Sequence, residues 1–202
     1  MKIVEEISLQ SIGPFSKSGA WTKTRKALHK AIREVEWPAG SGKFSIYPES
    51  GKARGKGNGV TPIKLGLMAE LELQGWVTED SPESSSKTRP GDLDAVLTSD
   101  RGLIALEWET GNISSSHRAL NKMALWLMQS KLVAGILVVP SSAFAKYLTD
   151  RIGNIRELMP YLELWKSIPV KNGVLEIAVI EHDDTSTSVP RIPKGTSGRA
   201  LA

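Results

Sequence analysis

The sequence predicts an α/β fold in which a mixed central β-sheet is flanked by helices on both sides. Two apolar, β-prone runs at 93–97 and 103–106 are separated by a turn, and further apolar runs of strand length follow at 132–139 and 174–180. The segments between them carry apolar residues at helical spacing, which is typical of helices packed on a sheet. A chain of 202 residues suits one domain, residues 1–202, with a substantial core.

The composition narrows the classes of protein to which the chain can belong. It contains no cysteine, which excludes disulfides and thiolate metal sites and is compatible with a reducing cytoplasm. Acidic residues stand where a signal peptide would have its apolar core, and no apolar run approaches the roughly 18 residues of a membrane span. We therefore expect a cytoplasmic protein with no membrane partner. The net charge of +4 is compatible with nucleic acid as a partner but is weak evidence for it.

Two helices are expected before the first predicted strand. The first covers 21–37, where apolar residues recur at helical spacing until a Pro-Ala-Gly run ends it. The second begins at Thr61, a cap followed by proline, and runs to Gly75. Apolar residues surround this second helix almost completely, so we expect it to be buried, and its Glu70 and Glu72 then need partners.

The hairpin carries acidic residues at its open end. The first strand of the sheet is expected at 76–78, and the hairpin strands follow a polar loop. Because side chains alternate along a strand, Glu107 and Glu109 point to one face and Trp108 to the other. Pairing of the two hairpin strands would bring Asp94 close to Glu107.

These acidic residues indicate a metal site. Acidic residues near strand ends are usually solvated, but Glu107 directly follows four apolar residues, where a charge is costly unless it is paired or ligated. Three converging carboxylates repel one another unless a cation lies between them. Oxygen ligands suit a hard divalent ion, so we expect Mg²⁺, with Mn²⁺ able to substitute. Asp94, Glu107 and Glu109 are the candidate ligands; Asp92 shares the face of Asp94 and stays an alternative to it.

A third helix is predicted directly after the acidic triplet. Serines at 114–116 precede an apolar helical pattern and are natural N-caps, so the positive end of the helix would lie beside the carboxylates and face phosphate. His117 lacks a second histidine at ligand spacing, which excludes a zinc site there. Side chains at this end are suited to contacts with DNA bases: Asn112, Ser114, Ser115, Ser116, His117 and Arg118.

Two basic segments are too polar and glycine-rich to form core. The first is a loop at 50–60 and the second is the C-terminal tail at 184–202. Each is expected to be flexible, either as solvated chain or as an arm that follows DNA phosphates and becomes ordered only on DNA. Their candidate contact residues are Lys52, Arg54, Lys56, Arg191 and Lys194.

The second half of the chain supplies the remaining scaffold. A central strand is expected at 132–139, helical material at 143–152, and a helix interrupted by proline at 157–165. A late strand covers 174–180. The acidic run at 181–184 that follows is not expected to bind metal, since neighbouring side chains point to opposite faces of a strand.

The run at 104–112, Ile-Ala-Leu-Glu-Trp-Glu-Thr-Gly-Asn, resembles the active-site strand of type II restriction endonucleases. An acidic residue on one strand, here Asp94, and an acidic-x-(acidic or lysine) triplet on the next are similar to the core of the PD-(D/E)xK superfamily. The form with Glu109 at the last position resembles its BamHI/BglII/BstYI-like branch, in which the BglII-like and BstYI-like members have glutamine there.

This resemblance implies a restriction-endonuclease-like fold and Mg²⁺-dependent hydrolysis of double-stranded DNA. It further implies a homodimer that cuts a short palindromic site. Asp94 and Glu107 would ligate the ion, and Glu109 would accept a proton or hold a second ion where related sequences have lysine. A helical residue completes the metal site in this branch; Glu70 is the candidate here, and Glu72 is almost as suitable.

Two other functions are compatible with the same residues. One is a nuclease with this core that acts in DNA repair or in a mobile element. The other is a DNA-binding protein that retains the fold without catalysis.

Overall fold

The structure is a computed structural model that describes residues 1–53, 55–82, 90–149 and 152–194. The strands formed by these residues are β1 Lys2–Ile12, β2 Ser45–Ile46, β3 Val77–Asp80, β4 Leu93–Ser99, β5 Gly102–Trp108, β6 Ala134–Pro140, β7 Gly173–Glu181 and β8 Asp184–Thr185. Their α-helices are α1 Gly19–Glu34, α2 Thr61–Leu73, α3 Ile113–Met128, α4 Ser142–Ala145, α5 Ile155–Leu158 and α6 Leu162–Lys166. Single 3-10 turns occur at Phe15–Lys17 and Met159–Tyr161.

Six strands form one mixed sheet in the order β1-β7-β6-β5-β4-β3. The pairs β5–β6 and β6–β7 are parallel, whereas β3–β4, β4–β5 and β1–β7 are antiparallel. Helices lie against both faces of this sheet, which confirms the predicted fold class. The short strands β2 and β8 pair in parallel outside it.

The predicted hairpin is the centre of this arrangement. Ala95 pairs with Leu106 and Ser99 pairs with Gly102, so the two strands are joined by a two-residue turn. Gly102 has a φ of +132°, a conformation that other residues rarely adopt. Continuing this register one step toward the open end of the hairpin brings Asp94 opposite Glu107.

The sheet separates two apolar cores, as alternation along a strand requires. Along β5, Ile104, Leu106 and Trp108 point into the core shared with α1 and α2. Ala105 points into the opposite core, which α3 covers with residues that include Leu120 and Met123. The same alternation directs the Glu107 side chain toward α3.

The first strand of the sheet is β1, so the expectation that residues 76–78 form the first strand is wrong. β1 is an edge strand in which charged residues alternate irregularly with apolar ones. Its pairing with β7 shifts register between Ile3 and Glu5 and again between Ser8 and Gln10. These two bulges disrupt the period of two on which sequence-based strand prediction depends.

Helix α2 buries one face and exposes the other, which corrects the expectation of a fully buried helix. Leu65 is 52% exposed and Leu73 is 82% exposed. Glu72 lies on the exposed side, where it accepts a hydrogen bond of 2.8 Å from the Thr78 hydroxyl. Glu70 is half-buried. The buried face consists of Ile63, Leu67, Met68 and Leu71.

The later helices are shorter than the sequence pattern indicated. In the described part of the predicted 143–152 segment, the helix is α4, which ends at Ala145. The proline in the predicted 157–165 helix divides that segment into α5, a 3-10 turn and α6, because a proline lacks the N–H that a continuous helix requires. None of the helices in the described part of the chain is both long and apolar enough to span a membrane.

The described parts of the basic loop and of the tail are joined through Asn58, and the flexibility expected of both segments stays a prediction. Asn58 is fully buried, and its side-chain amide donates hydrogen bonds of 2.9 Å to the carbonyls of Tyr47 and Tyr147. Its side-chain oxygen accepts a bond of 3.1 Å from the Ile192 N–H. The buried amide therefore joins the loop to the tail. Arg54 and residues 195–202 lie outside the described residues.

Replacing Gly135 with alanine should destabilise the protein by about 1–3 kcal/mol, because α3 packs directly on this position of β6. A Cβ atom there would lie 2.9 Å from both Cβ and Sδ of Met123. Denaturant unfolding measures the loss. Gly19→Ala is the matched control, since a Cβ at Gly19 meets nothing within 4 Å. Equal effects of the two substitutions would contradict this account of the packing.

Candidate active site

The acidic residues gather where the carboxyl end of β5 meets the beginning of β4. The parallel pairing of β5 with β6 continues one step beyond the strand, through a 2.9 Å hydrogen bond from the Glu109 N–H to the Val138 carbonyl. Helix α3 begins four residues after Glu109. The sheet therefore holds the acidic segment in place, and the N-terminus of a 16-residue helix starts beside it.

Asp94 is held from two sides. Its Oδ2 atom accepts a hydrogen bond of 2.8 Å from the Trp108 backbone N–H, which fixes the carboxylate against β5 between Glu107 and Glu109. Its Oδ1 atom lies 2.5 Å from Nζ of Lys64 on α2. Asp94 is therefore both oriented by the sheet and paired with a cation.

Glu107 is 4% exposed and forms an ion pair with Lys122 of α3. The Lys122 ammonium also donates a 2.5 Å hydrogen bond to the carbonyl of Asp92. Burial raises the pKa of Glu107, and the positive charge of Lys122 opposes that shift. Lys122 thus connects α3 to both strands of the hairpin.

Glu109 is the third carboxyl group of the site, and its surroundings disfavour its ionised form. Burial, followed by the charges of Glu107 and Asp94, raises the pKa of Glu109 to about 7. The charges of Lys64 and Arg118 act in the opposite direction. Because its pKa lies near neutrality, Glu109 can gain or lose a proton under physiological conditions.

The structure brings Asp94, Glu107 and Glu109 together but does not arrange them as a ready ligand set. Among the described residues, no group of three or more His, Cys, Asp or Glu side chains could hold a metal ion as it stands. Asp94 and Glu107 instead contact lysines. The donor chemistry nevertheless fits a hard divalent cation, since all three are carboxylates whose charges disfavour one another. Their role as metal ligands stays a prediction.

Asp94 and Asp92, the two candidates for the ligand at the start of β4, differ in their surroundings. The Asp94 carboxylate faces the glutamates, whereas Asp92 is exposed and it is its backbone carbonyl that Lys122 contacts. Glu70 has no hydrogen bond or ion pair to any described residue of this site. On a helix of 3.6 residues per turn, it lies about 120° around α2 from Lys64, the residue that reaches Asp94. A catalytic role for Glu70 or Glu72 stays a prediction without a supporting contact.

The N-cap of α3 is Asn112, not one of the serines. Its side-chain oxygen accepts a 2.9 Å hydrogen bond from the Ser114 N–H, so the helix begins one residue before the serines. Ser116 is 1% exposed, so the predicted contact of its side chain with DNA has no support from its position in this structure. Ser114 and Arg118 are exposed, and Ser115 is half-buried.

His117 packs among aromatic rings. Its ring centroid lies 4.7 Å from that of Tyr161, with the two planes nearly perpendicular, and 5.4 Å from that of Trp165. This contact joins α3 to the segment that contains α5 and α6. The His117 ring is therefore packed against two aromatic side chains, and the residue is half-buried.

Most of the described basic residues of the loop and tail that were predicted to contact DNA bond to other residues of the chain. Glu49 lies 3.5 Å from the Lys56 ammonium and 3.1 Å from the Arg191 guanidinium. Lys194 donates a hydrogen bond to the Lys56 carbonyl. Lys52 is exposed. The charge of this region is therefore partly neutralised by one glutamate.

Sequence reasoning missed Lys64 and Lys122. Each is a cation within a helical pattern of apolar residues. Because a buried or half-buried lysine needs an anionic partner, both could have been assigned to the acidic strand ends. The two lysines approach the acidic residues from opposite faces of the sheet, since α2 and α3 cover different cores.

Residues 1–199 match the protein family described as "Restriction endonuclease BamHI". The chain is 46% identical over 174 residues to the type II restriction enzyme OkrAI of Oceanobacter kriegii, covering 86% of this chain and 87% of that enzyme. It is 33% identical over 187 residues to the type II restriction enzyme BamHI of Bacillus amyloliquefaciens, covering 86% of this chain and 84% of that enzyme.

The fold is also similar to that of a solved structure. The crystal structure of the restriction endonuclease BglII complexed with a DNA 16-mer superposes with a TM-score of 0.59. The match covers 95% of this chain and 88% of that chain, at 11% sequence identity. At this identity the similarity concerns the fold alone.

Glu109→Gln should stabilise the metal-free protein more at pH 8 than at pH 5. The folded protein keeps the proton of Glu109 up to about pH 7, whereas the unfolded chain loses it near the ordinary glutamate pKa. Wild-type stability therefore falls as the pH rises through this interval. Above about pH 7, the glutamine variant avoids the free-energy cost of ionising buried Glu109. That cost is roughly 1–3 kcal/mol once partial solvent screening is taken into account.

Denaturant unfolding in the presence of a chelator measures this difference. Glu34→Gln, at an exposed position on α1, is the control and should change stability little at either pH. A gain for Glu109→Gln of the same size at pH 5 and pH 8 would contradict the assignment of the raised pKa to Glu109.

Proposed function

The chain belongs to the BamHI family of restriction endonucleases, and on that basis we propose that it cuts double-stranded DNA at a short palindromic site in an Mg²⁺-dependent reaction. It is an endodeoxyribonuclease of the type II restriction class, and restriction enzymes bind DNA. Enzymes of this family generally use divalent metal ions; Mg²⁺ is our specific proposal, with Mn²⁺ as a substitute. The proposed function implies a cytoplasmic enzyme, since its substrate lies there.

The observation that carries the proposal is the position of Asp94 between Glu107 and Glu109 on the neighbouring strand. Asp94 and Glu107 would hold the ion, and Glu109 would contribute a further oxygen. A bound Mg²⁺ supplies Lewis-acid polarisation of the phosphate and makes water more acidic. Carboxylates on two adjacent strands of a rigid sheet provide such ligands with little reorganisation.

The residues of the chain have separate tasks in the proposed reaction. The Trp108 N–H orients the Asp94 carboxylate. Lys122 offsets the cost of burying ionised Glu107. Glu109 is a carboxylate beside the two proposed ligands and would accept a proton from the attacking water. Acceptance of a proton by Glu109 suits a site in which a carboxylate takes the place of the lysine that ends the triplet in related sequences.

DNA would approach the N-terminal end of α3. Backbone N–H groups and the positive end of the helix dipole favour phosphate there. Arg118 and Ser114 are exposed on this end and suit contacts with DNA. The Asn112 side chain must leave its capping bond before its oxygen can contact a base. Lys52 is exposed and suits a contact with a DNA phosphate.

A homodimer is supported by apolar side chains on α3 and the adjoining α5–α6 segment. Two segments joined by the contact between His117 and Tyr161 present these side chains. Several large apolar residues exposed on one surface are typical of a protein interface. A two-fold dimer matches the symmetry of a palindromic site. The exposed residues are Leu125, Met128, Met159, Tyr161 and Leu164.

Asp94→Asn and Glu107→Gln should each lower DNA cleavage at least about 100-fold while leaving DNA binding within a few fold, because they remove proposed metal ligands and not phosphate contacts. Cleavage of genomic DNA with Mg²⁺, followed by sequencing of the ends, measures activity and reveals the site. Binding is measured by gel shift without metal.

Asp100→Asn is the matched control. Asp100 lies in the turn at the opposite end of the same hairpin and is largely exposed. Its substitution should leave cleavage unchanged. A wild-type protein that binds DNA but cuts no DNA in Mg²⁺ would favour the non-catalytic alternative, and cutting without sequence preference would favour a repair or mobile-element nuclease.

Leu164→Glu should convert a wild-type dimer to a monomer at micromolar concentration, since a charge would be buried in the proposed interface. Sedimentation velocity measures the change. Leu73→Glu is the control, because Leu73 is the most exposed of the large apolar residues described and lies on α2, across the sheet from α3. Dissociation by Leu73→Glu alone would show that a different surface forms the dimer.

A further inference from the structure

Lys64 is a cation from outside the acidic triplet that contacts the centre of the site. Its Nζ atom lies 2.5 Å from Oδ1 of Asp94, and its charge also lowers the pKa of Glu109. The strand that carries Glu107 and Glu109 has no lysine of its own in the triplet. Lys64 therefore supplies, from helix α2, positive charge that the strand lacks.

The position of Lys64 is fixed by the packing of α2. Ile63 and Leu67, on either side of it in sequence, are fully buried against the sheet. These contacts hold the first turn of α2 beside the beginning of β4. The Lys64 side chain nevertheless stays 39% exposed, so its ammonium group is accessible from solvent while it contacts Asp94.

The two lysines of the site differ in how firmly they are held. Lys122 is 8% exposed and contacts both Glu107 and the Asp92 carbonyl. Among the described residues, Lys64 contacts one oxygen atom of one carboxylate. A single, partly solvated contact is far less costly to exchange than a buried pair. Lys64 can thus change partners, whereas Lys122 is part of the scaffold.

We propose that Lys64 competes with the divalent cation for Asp94 and, once released, contacts the phosphate that is cut. This inference rests on the proposed function. In the metal-free protein Lys64 neutralises Asp94 and keeps the carboxylate oriented. If Asp94 ligated a cation, the Lys64 ammonium group, which lies 2.5 Å from that carboxylate, would be free to contact a phosphate held by the same cation and to stabilise its negative charge.

The proposal predicts opposite effects of Lys64→Met on two measurements. Binding of Mn²⁺ in the absence of DNA, measured by calorimetry, should become about tenfold tighter, because the charge-assisted hydrogen bond from Lys64 no longer competes for Asp94. The cleavage rate at saturating Mg²⁺ should fall at least about tenfold, because the phosphate loses a cationic contact. If Lys64 were needed only for stability, its replacement would weaken Mn²⁺ binding and also lower the cleavage rate. Lys64→Arg keeps the charge and should bind Mn²⁺ within about threefold of wild type.

Lys23→Met is the control, since Lys23 is exposed on α1 and has no contact with the acidic residues. Thermal unfolding establishes that each variant is folded. If the wild type cuts DNA but folded Lys64→Met binds Mn²⁺ no more tightly than wild type, the inference is wrong and the proposed function stands. Tighter binding combined with undiminished cleavage also overturns it. A wild type that cuts no DNA overturns both proposals.

Discussion

Mutual repulsion among carboxylates at the open end of the hairpin is the constraint on which the rest of the site depends. Asp94, Glu107 and Glu109 are brought together by strand register, and burial makes their charges costly. The chain meets that cost with one cation from each side of the sheet. Lys64 reaches Asp94 from α2, and Lys122 reaches Glu107 from α3. The two helices are therefore electrostatic partners of the acidic strands as well as covers for the cores.

The two sides of the sheet contribute unequal kinds of support. On the α3 side, Lys122 is buried in the middle of the helix and contacts both Glu107 on β5 and the carbonyl of Asp92, just before β4, so it links α3 to the open end of the hairpin. On the α2 side, Lys64 makes a single accessible contact. The contact of Lys122 is therefore the firmly held one, on the side of α3, whose N-terminus faces the proposed DNA surface. The contact of Lys64, on the side of α2, is the one that can be exchanged. Such a division suits a site that must bind a charged substrate without losing its geometry.

Much of the central fold could be predicted from the sequence, because β4, β5, β6 and β7 have strong apolar patterns and clear turns. The hairpin register then brought Asp94 opposite Glu107 as expected. The edge strand β1 was missed, since its bulges and solvated side obscure alternation. The site was only partly predictable for a different reason. Carboxylates on paired strands are fixed by local register, whereas Lys64 and Lys122 reach them through tertiary packing that no local pattern specifies.

The hydrogen bond to Asp94 from β5 comes from the peptide backbone, not from a side chain. Its donor therefore survives whatever amino acid occupies position 108, with proline as the sole exception because it lacks an N–H. The Trp108 ring points into the opposite core and can change size in response to that core alone. Any residue other than proline at position 108 thus keeps the donor that orients Asp94, so the size of this side chain is limited by the core and not by the acidic site.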